Sequence, residues 1–326
     1  MTDCEIIWAN YPNNITMSVA AIIVNYNAGT WLSRCVRSVL AEPLISKVYV
    51  VDNDSKDDSL AEMKLSLTEE SIDASRLQVI QNEHNLGFGK ANNQVMNQLL
   101  VEDEINYILL INPDCDLKKG VLNRLLPYFE QHAKLGMAGC VIKNSDGSVQ
   151  ATCRRAFPTP LTAFLRLTQL NRFAFVRDRV ENAEFNLGNE PLSDEQEAFI
   201  EVEAISGAFM LVRKSAIKEV GVFDEAYFMH CEDLDWCKRF AEKGWQTGFV
   251  ADVHVVHEKG VSSQARPIGV LWNLHQGMLL FFEKFYRDSS PWILRLVVRL
   301  GIYCSFLLRA LLSLLKQGMQ LVSKNG

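Results

Sequence analysis

The stretch Asn106-Tyr107-Ile108-Leu109-Leu110-Ile111-Asn112-Pro113-Asp114-Cys115-Asp116 ends an apolar run on two carboxylates one residue apart. Tyr107–Ile111 has the length and branching of a buried strand, and Pro113 cannot continue a ladder. Asp114 and Asp116 are therefore expected in the turn at the strand's carboxyl end, the edge where open α/β sheets bind ligands. Two short carboxylates there suit a divalent cation held by oxygen and shared with a phosphate; a solvated turn has the same pattern. A second acidic group, Glu232-Asp233-Leu234-Asp235, opens a predicted helix between Phe228 and Trp236. Its charges complement a helix N-terminus, but the apolar neighbours also suit a carboxyl of raised pKa acting as a general base. His254 and His257 fall on opposite sides of a strand, so only one of them can add a nitrogen ligand to the aspartate pair.

The elements that position these groups alternate. Val19–Val24 reads as a strand, and Thr30 as the cap of a helix whose apolar residues Leu32, Cys35, Val36, Val39 and Leu40 share a face. Val48–Val51 is a second strand ending in Asp52-Asn53-Asp54-Ser55, with Ser55 or Asp54 capping the next helix. Leu77–Ile80 is a third, followed by Asn82 to Gly89 and a helix through Leu99. This order predicts a doubly wound, mostly parallel sheet. Its strand ends, Asn25, Asp52, Asn82 and then Asn112 with Asp114, form a polar rim. A carboxylate such as Asp52 can accept the imino proton of uracil or thymine. Backbone N–H groups near Gly87 and Gly89 can approach a ligand closely. A nicotinamide site is disfavoured, because Asn92 replaces the third glycine of the fingerprint and the pair follows the third strand.

The second half is mixed: a mobile loop over 178–200, a strand at Ala208–Val212, a helix over Asp233–Lys243 closed by Gly244, and one or two strands in Gln246–Val256. After Arg266 only helix is expected. That tail holds eight Lys/Arg against two Asp/Glu, a net +6, so the rest of this -6 chain carries -12. Such a distribution excludes general nucleic-acid binding and directs the tail to an anionic surface. Arg295, Arg299, Arg309, Ser313, Lys316 and Gln320 fall on one side of a helical wheel and Val297, Leu300, Leu307, Leu308, Leu311 and Leu315 on the other. No charge-free stretch reaches the roughly 20 residues of a spanning helix. An in-plane amphipathic anchor is expected, with packing on the body or on a second subunit as the alternative. Eight scattered cysteines and a start without a basic region point to the cytoplasm.

Taken together, over roughly Val19 to Ser263 the chain resembles family-2 inverting glycosyltransferases of the GT-A fold. The ordered matches are Val24-Asn25-Tyr26-Asn27, Val51-Asp52-Asn53-Asp54-Ser55, Asn85-Leu86-Gly87-Phe88-Gly89 with Ala91-Asn92-Asn93, Asn112-Pro113-Asp114 with Asp116, and Glu232-Asp233 with a downstream histidine. Ser206 to Arg213 and Gly221 to Glu225 resemble the rhamnosyltransferase branch, which builds bacterial surface polysaccharides.

The resemblance implies an N-terminal extension (1–17), a GT-A domain (18–265) and a helical C-terminal region (266–326). It implies transfer from a dTDP- or UDP-sugar, first of all dTDP-L-rhamnose, to a glycan or lipid-linked glycan at the inner face of the cell membrane. A UDP-hexose or UDP-galactofuranose is the alternative donor. Asp233 would be the base with Glu232 beside it. Asp114, Asp116 and His257 would hold Mg²⁺ or Mn²⁺. Asn25, Asp52, Asn53, Asn82, Asn85, Gly87, Asn92 and Asn112 would line the nucleotide-sugar site, and Ser206, Gly207 and Trp236 the acceptor side. Lys90 departs from the small residue that many relatives carry. A sugar nucleotidyltransferase would open with a glycine- and lysine-rich loop where Asn25-Tyr26-Asn27-Ala28-Gly29 stands; an inactive scaffold of an assembly complex would lack the acidic residues.

Overall fold

The computed structural model describes residues 18–159, 198–258 and 267–325, with side chains to Leu315 in the last helix. The 1–17 extension and nearly all of the expected 178–200 loop lie outside the described residues. Val19–Asn25 (β1), Ile45–Asp52 (β2), Leu77–Gln81 (β3) and Tyr107–Ile111 (β4) are parallel neighbours in the order β3-β2-β1-β4. All but β3 are almost wholly buried, which is why they read as continuous apolar runs rather than alternating ones. Trp31–Leu40 (α1), Ser59–Glu69 (α2) and Phe88–Leu99 (α3) are the crossovers.

The sheet continues through Phe209–Arg213 (β10), antiparallel to both β4 and Leu135–Lys143 (β6). Gln246–His257 (β11) then runs parallel to β6, and pairs antiparallel with Cys115–Asp116 (β5) and Phe199–Val202 (β8), while Arg154–Arg155 (β7) and Ala204–Ile205 (β9) form a separate antiparallel pair. The doubly wound expectation holds, with a mixed second half. Two elements have weak signals in the sequence. Val121–Gln131 (α4) contains Pro127, a residue that normally ends a helix. Strand β6 carries Gly136 and Gly139, poor strand formers, because Phe240 and Ile205 press against their Cα atoms.

The cap expectations fail locally. Thr30 precedes α1 without a side-chain cap bond. α2 starts at Ser59, later than Ser55 or Asp54 would set it, and the Ser55 hydroxyl instead accepts the N–H of Asn27.

Lys214–Val220 (α5) follows β10, and Glu232–Glu242 (α6) carries the acidic cluster. Pro267–Phe285 (α7) and Trp292–Asn325 (α8) form a helical hairpin. Val298 and Ile302 pack on Phe282, Ser305 Oγ meets His275 Nε2 at 3.3 Å, and Arg299 Nε donates to Glu283 at 2.7 Å. Val298, Ile302 and Ser305 are thus the covered side of α8, while Leu300, Leu307, Leu308 and Leu311 stand more than half exposed. Trp292–Leu315 is also long and apolar enough to cross a membrane by length and composition alone, with Arg295, Arg299 and Arg309 interrupting it.

Candidate active site

Asn25 pairs with Asp52 in the β1–β2 register, so two strand ends meet at one edge. Asn25 Nδ2 donates to Asp52 Oδ1 at 2.7 Å and to the Ser59 hydroxyl at 2.9 Å, with Asn25 itself fully buried. Asn53 Nδ2 donates to Asn85 Oδ1 at 2.8 Å, and Asn53 Oδ1 accepts from Asn82 and from the Leu86 N–H. Asn82 also exchanges bonds with Gln94, and Asn92 donates to the Phe88 carbonyl one turn back. Gly87 adopts φ +84°, and a Cβ there would lie 2.3 Å from the Phe228 carbonyl oxygen. Only glycine permits that approach.

A cavity of about 690 Å³ opens beside this edge. Of the predicted nucleotide-site residues, Asn53, Asn85, Gly87 and Asn112 line it. Asn25, Asn82 and Asn92 do not, because their amides are taken up inside the rim, and Asp52 sits behind the same wall at 5% exposure. Lys90 points to solvent, with Glu225 at 3.9 Å.

Asp114 and His257 form one pole of the cavity. Asp114 Oδ1 lies 3.1 Å from His257 Nε2 and has no hydrogen-bond donor of its own. His257 Nδ1 faces Gln150 Oε1 at 3.1 Å. An amide oxygen accepts only, so it assigns the ring proton to Nδ1 and leaves the Nε2 lone pair beside the carboxylate, where Asn112 Nδ2 also approaches it at 3.4 Å. Two lone pairs turned on one point suit a cation, and 3.1 Å is the spacing of adjacent ligands at ~2.1 Å around a hard divalent ion. Gln150 is the outer partner that orients such a histidine, and the sequence carries no sign of it. Cys115 completes a geometric trio with these two, but its thiol donates to the Ala208 carbonyl and burial pushes it well above its usual range.

The structure does not bring Asp116 to this pole. In the β5–β11 ladder His257 faces Cys115 and Val256 faces Asp116. Paired residues share a side of the sheet, so Asp116 points away from His257 and forms an ion pair with Lys118.

The other pole is Glu232-Asp233 at the start of α6. His230 and Cys231, at φ 73° and 68°, make the left-handed turn that aims them inward. Helix α7 presses on this turn at Gly277, where a Cβ would lie 2.6 Å from the His230 carbonyl oxygen. Asp233 Oδ2 accepts from Arg155 and from the Gly207 N–H at 3.0 Å, and its Oδ1 accepts the Leu234 N–H at 2.8 Å. The carboxylate is locked in orientation with lone-pair capacity left on Oδ1. Glu232 differs: burial first, and the Asp233 charge second, push its carboxyl up to about 8. It therefore keeps its proton to higher pH than an ordinary carboxyl, beside the candidate base.

Ser206 and Gly207 line the cavity as expected for the acceptor side. Trp236 does not. It is fully buried, donates Nε1–H to the Gly221 carbonyl at 2.8 Å, and packs between Phe223 and Phe240. Its place on the inward face of α6 makes it core. Arg155 and His230 are cavity residues without a motif signal; Arg155 lies next to a segment outside the described residues.

Residues 16–268 fit the model of the glycosyltransferase like family 2, and the chain belongs to that family. It is a glycosyltransferase. It is 26% identical over 305 residues to N-acetylglucosaminyl-diphospho-decaprenol L-rhamnosyltransferase of Mycobacterium tuberculosis, covering 86% of this chain and 90% of that one. It is 27% identical over 246 residues to the rhamnosyltransferase WbbL of Escherichia coli strain K12, covering 73% and 83%. Among solved structures, the mannosyltransferase PcManGT of Pyrobaculum calidifontis, in complex with GDP-Man and Mn²⁺, aligns with a TM-score of 0.52 at 14% identity over 97% of this chain and 85% of that one. GalNAc-T7 with UDP, GalNAc and Mn²⁺ aligns with a TM-score of 0.57 at 14% identity over 89% of this chain, which spans 55% of that longer one. These likenesses establish the GT-A fold.

Proposed function

We propose that this enzyme transfers L-rhamnose from dTDP-L-rhamnose, with inversion, to a hydroxyl of a lipid-linked glycan at the cytoplasmic membrane surface. The observation that carries the reading is the two-pole cavity, with Asp114 and His257 on one side and Asp233 on the other. Asp114 and His257 would hold Mg²⁺ or Mn²⁺, which when bound offsets the charge gained by the leaving nucleoside diphosphate. The amides of Asn53 and Asn85 would receive the nucleotide, with Asp52 behind them holding Asn25 in place. Asp233 takes the acceptor's hydroxyl proton as the oxygen attacks the anomeric carbon, and Arg155 and Gly207 fix the direction of that carboxylate. A single displacement needs no covalent intermediate. The rhamnosyltransferase activities of the two relatives support rhamnose over a UDP-hexose.

The donor is tested by thermal stabilisation with Mn²⁺ across a panel of nucleotide sugars. dTDP-L-rhamnose should give the largest shift, and preference for UDP-galactofuranose or a UDP-hexose replaces it. The outward apolar face of α8 supports membrane attachment. Flotation with anionic liposomes should be lost on truncation at Arg266; a truncated protein that still floats removes the anchor.

A further inference from the structure

The cavity does not end at the carboxylates. Beyond Asp233 it runs between the body and the α7–α8 hairpin, where Met278, Phe281, Phe282, Val298 and Ile302 form an apolar wall. A nucleotide sugar has no chemistry for such a wall. At the junction of its polar and apolar parts lie three buried polar atoms without a hydrogen-bond partner: Arg155 Nε, His230 Nε2 and Glu232 Oε2. Glu232 is more than nine-tenths buried. Unpartnered buried groups of this kind call for a polar ligand, and the wall next to them calls for an apolar one.

Both demands are met by a single molecule with a sugar-bearing head and a hydrocarbon tail. We infer that the cavity under the α7–α8 hairpin is the binding site for the proximal prenyl chain of a prenyl-diphosphate-linked acceptor. Arg155, His230 and Glu232 then contact its head group, and Met278, Phe282 and Ile302 its first isoprene units. This rests on the reading of a lipid-linked acceptor and deepens it: the tail is held by the protein, not only by the bilayer. The hairpin's construction fits the role. Its outer residues Leu307, Leu308 and Leu311 are exposed and apolar, so the chain can pass from a membrane to the inner wall without crossing water. Lys284 of α7 bridges Asp224 and Asp235, each at 2.6 Å, which ties the roof of this site to the helix that carries Asp233.

The test uses the full chain in detergent micelles and a C15 prenyl diphosphate with a diazirine in its second isoprene unit. Photolabelling should map to α7 and α8 around Met278, Phe282 and Ile302. A C15 prenyl diphosphate without the diazirine should compete, and inorganic diphosphate should not. Ile302→Trp, which fills the wall, should lower labelling at least tenfold while nucleoside diphosphate binding persists. Should that variant fail to fold, Val298→Phe blocks the same wall with a smaller change. Labels confined to Leu307, Leu308 and Leu311, or labelling indifferent to both variants, overturn the inference. Failure of dTDP-rhamnose as donor would sink the donor reading while leaving this labelling pattern intact.

Discussion

The two walls of the cavity treat their polar groups in opposite ways. Along the strand edge the side-chain N–H groups of Asn25, Asn53, Asn82 and Asn92 all donate to neighbouring side chains or backbone, and among these amides only Asn25 Oδ1 is a buried atom without a partner. Across the cavity, the α6 start and the roof above it leave Arg155 Nε, His230 Nε2 and Glu232 Oε2 unpartnered. A satisfied network positions; an unsatisfied one waits for a partner. The first wall is made by sheet register, and the second by a left-handed turn wedged against a helix from the C-terminal hairpin.

Breaking the second wall should therefore hurt chemistry more than nucleotide binding. The largest effect is expected for Asp233→Asn, which removes the base but keeps its shape. Transfer should fall by about 10²–10⁴-fold while calorimetry shows nearly unchanged nucleoside diphosphate binding. Substantial residual turnover moves the base elsewhere. Next comes Gly277→Leu. Its side chain must displace the His230 carbonyl and with it the aim of Asp233, and a shift of about 1 Å can cost ~10²-fold in rate. kcat should drop with the donor KM unchanged; an equal loss in donor affinity would mean that the two walls are not separable.

Glu232 sharpens the comparison through pH. Its carboxyl is raised in the fold, so its favourable contribution is complete below the unfolded value near 4.5 and is lost as pH rises through about 8. Glu232→Gln cannot ionise. The melting temperature of the parent should fall relative to this variant between pH 5 and pH 8, and parallel curves would remove the assignment. The smallest effect is expected for Asp116→Asn, on the far side of the β5–β11 ladder. Loss of a surface pair with Lys118 costs at most about 1 kcal/mol. The Mn²⁺ titration should not move, and a tenfold loss of metal affinity would return Asp116 to the metal pole.

Much of the first wall was legible in the chain itself. Parallel strands buried on both faces leave long apolar runs, and each run stops at the residue that meets the ligand edge, so Asn25, Asp52, Asn112 and Asp114 could be placed from one dimension. Which rim amides reach the cavity could not, because Asn82 and Asn92 look no different in sequence from Asn53 and Asn85. Gln150 and Arg155 escaped for a related reason: each acts on a partner 107 or 78 residues away. Trp236 was misplaced because helix phase alone does not say which side of α6 is covered.

The Asn112-Pro113-Asp114 turn and the acidic start of α6 are local patterns, and sequence determined both. Tertiary structure decided the rest. Strand pairing turned Asp116 away from His257, since ladder partners share a face. Burial raised the pKa of the Glu232 carboxyl, which sequence position alone does not distinguish from Asp233. Packing on α7 covered Val298, Ile302 and Ser305 of α8 and left Leu307, Leu308 and Leu311 outward, because helix periodicity specifies faces but only the neighbouring helix selects which one is covered.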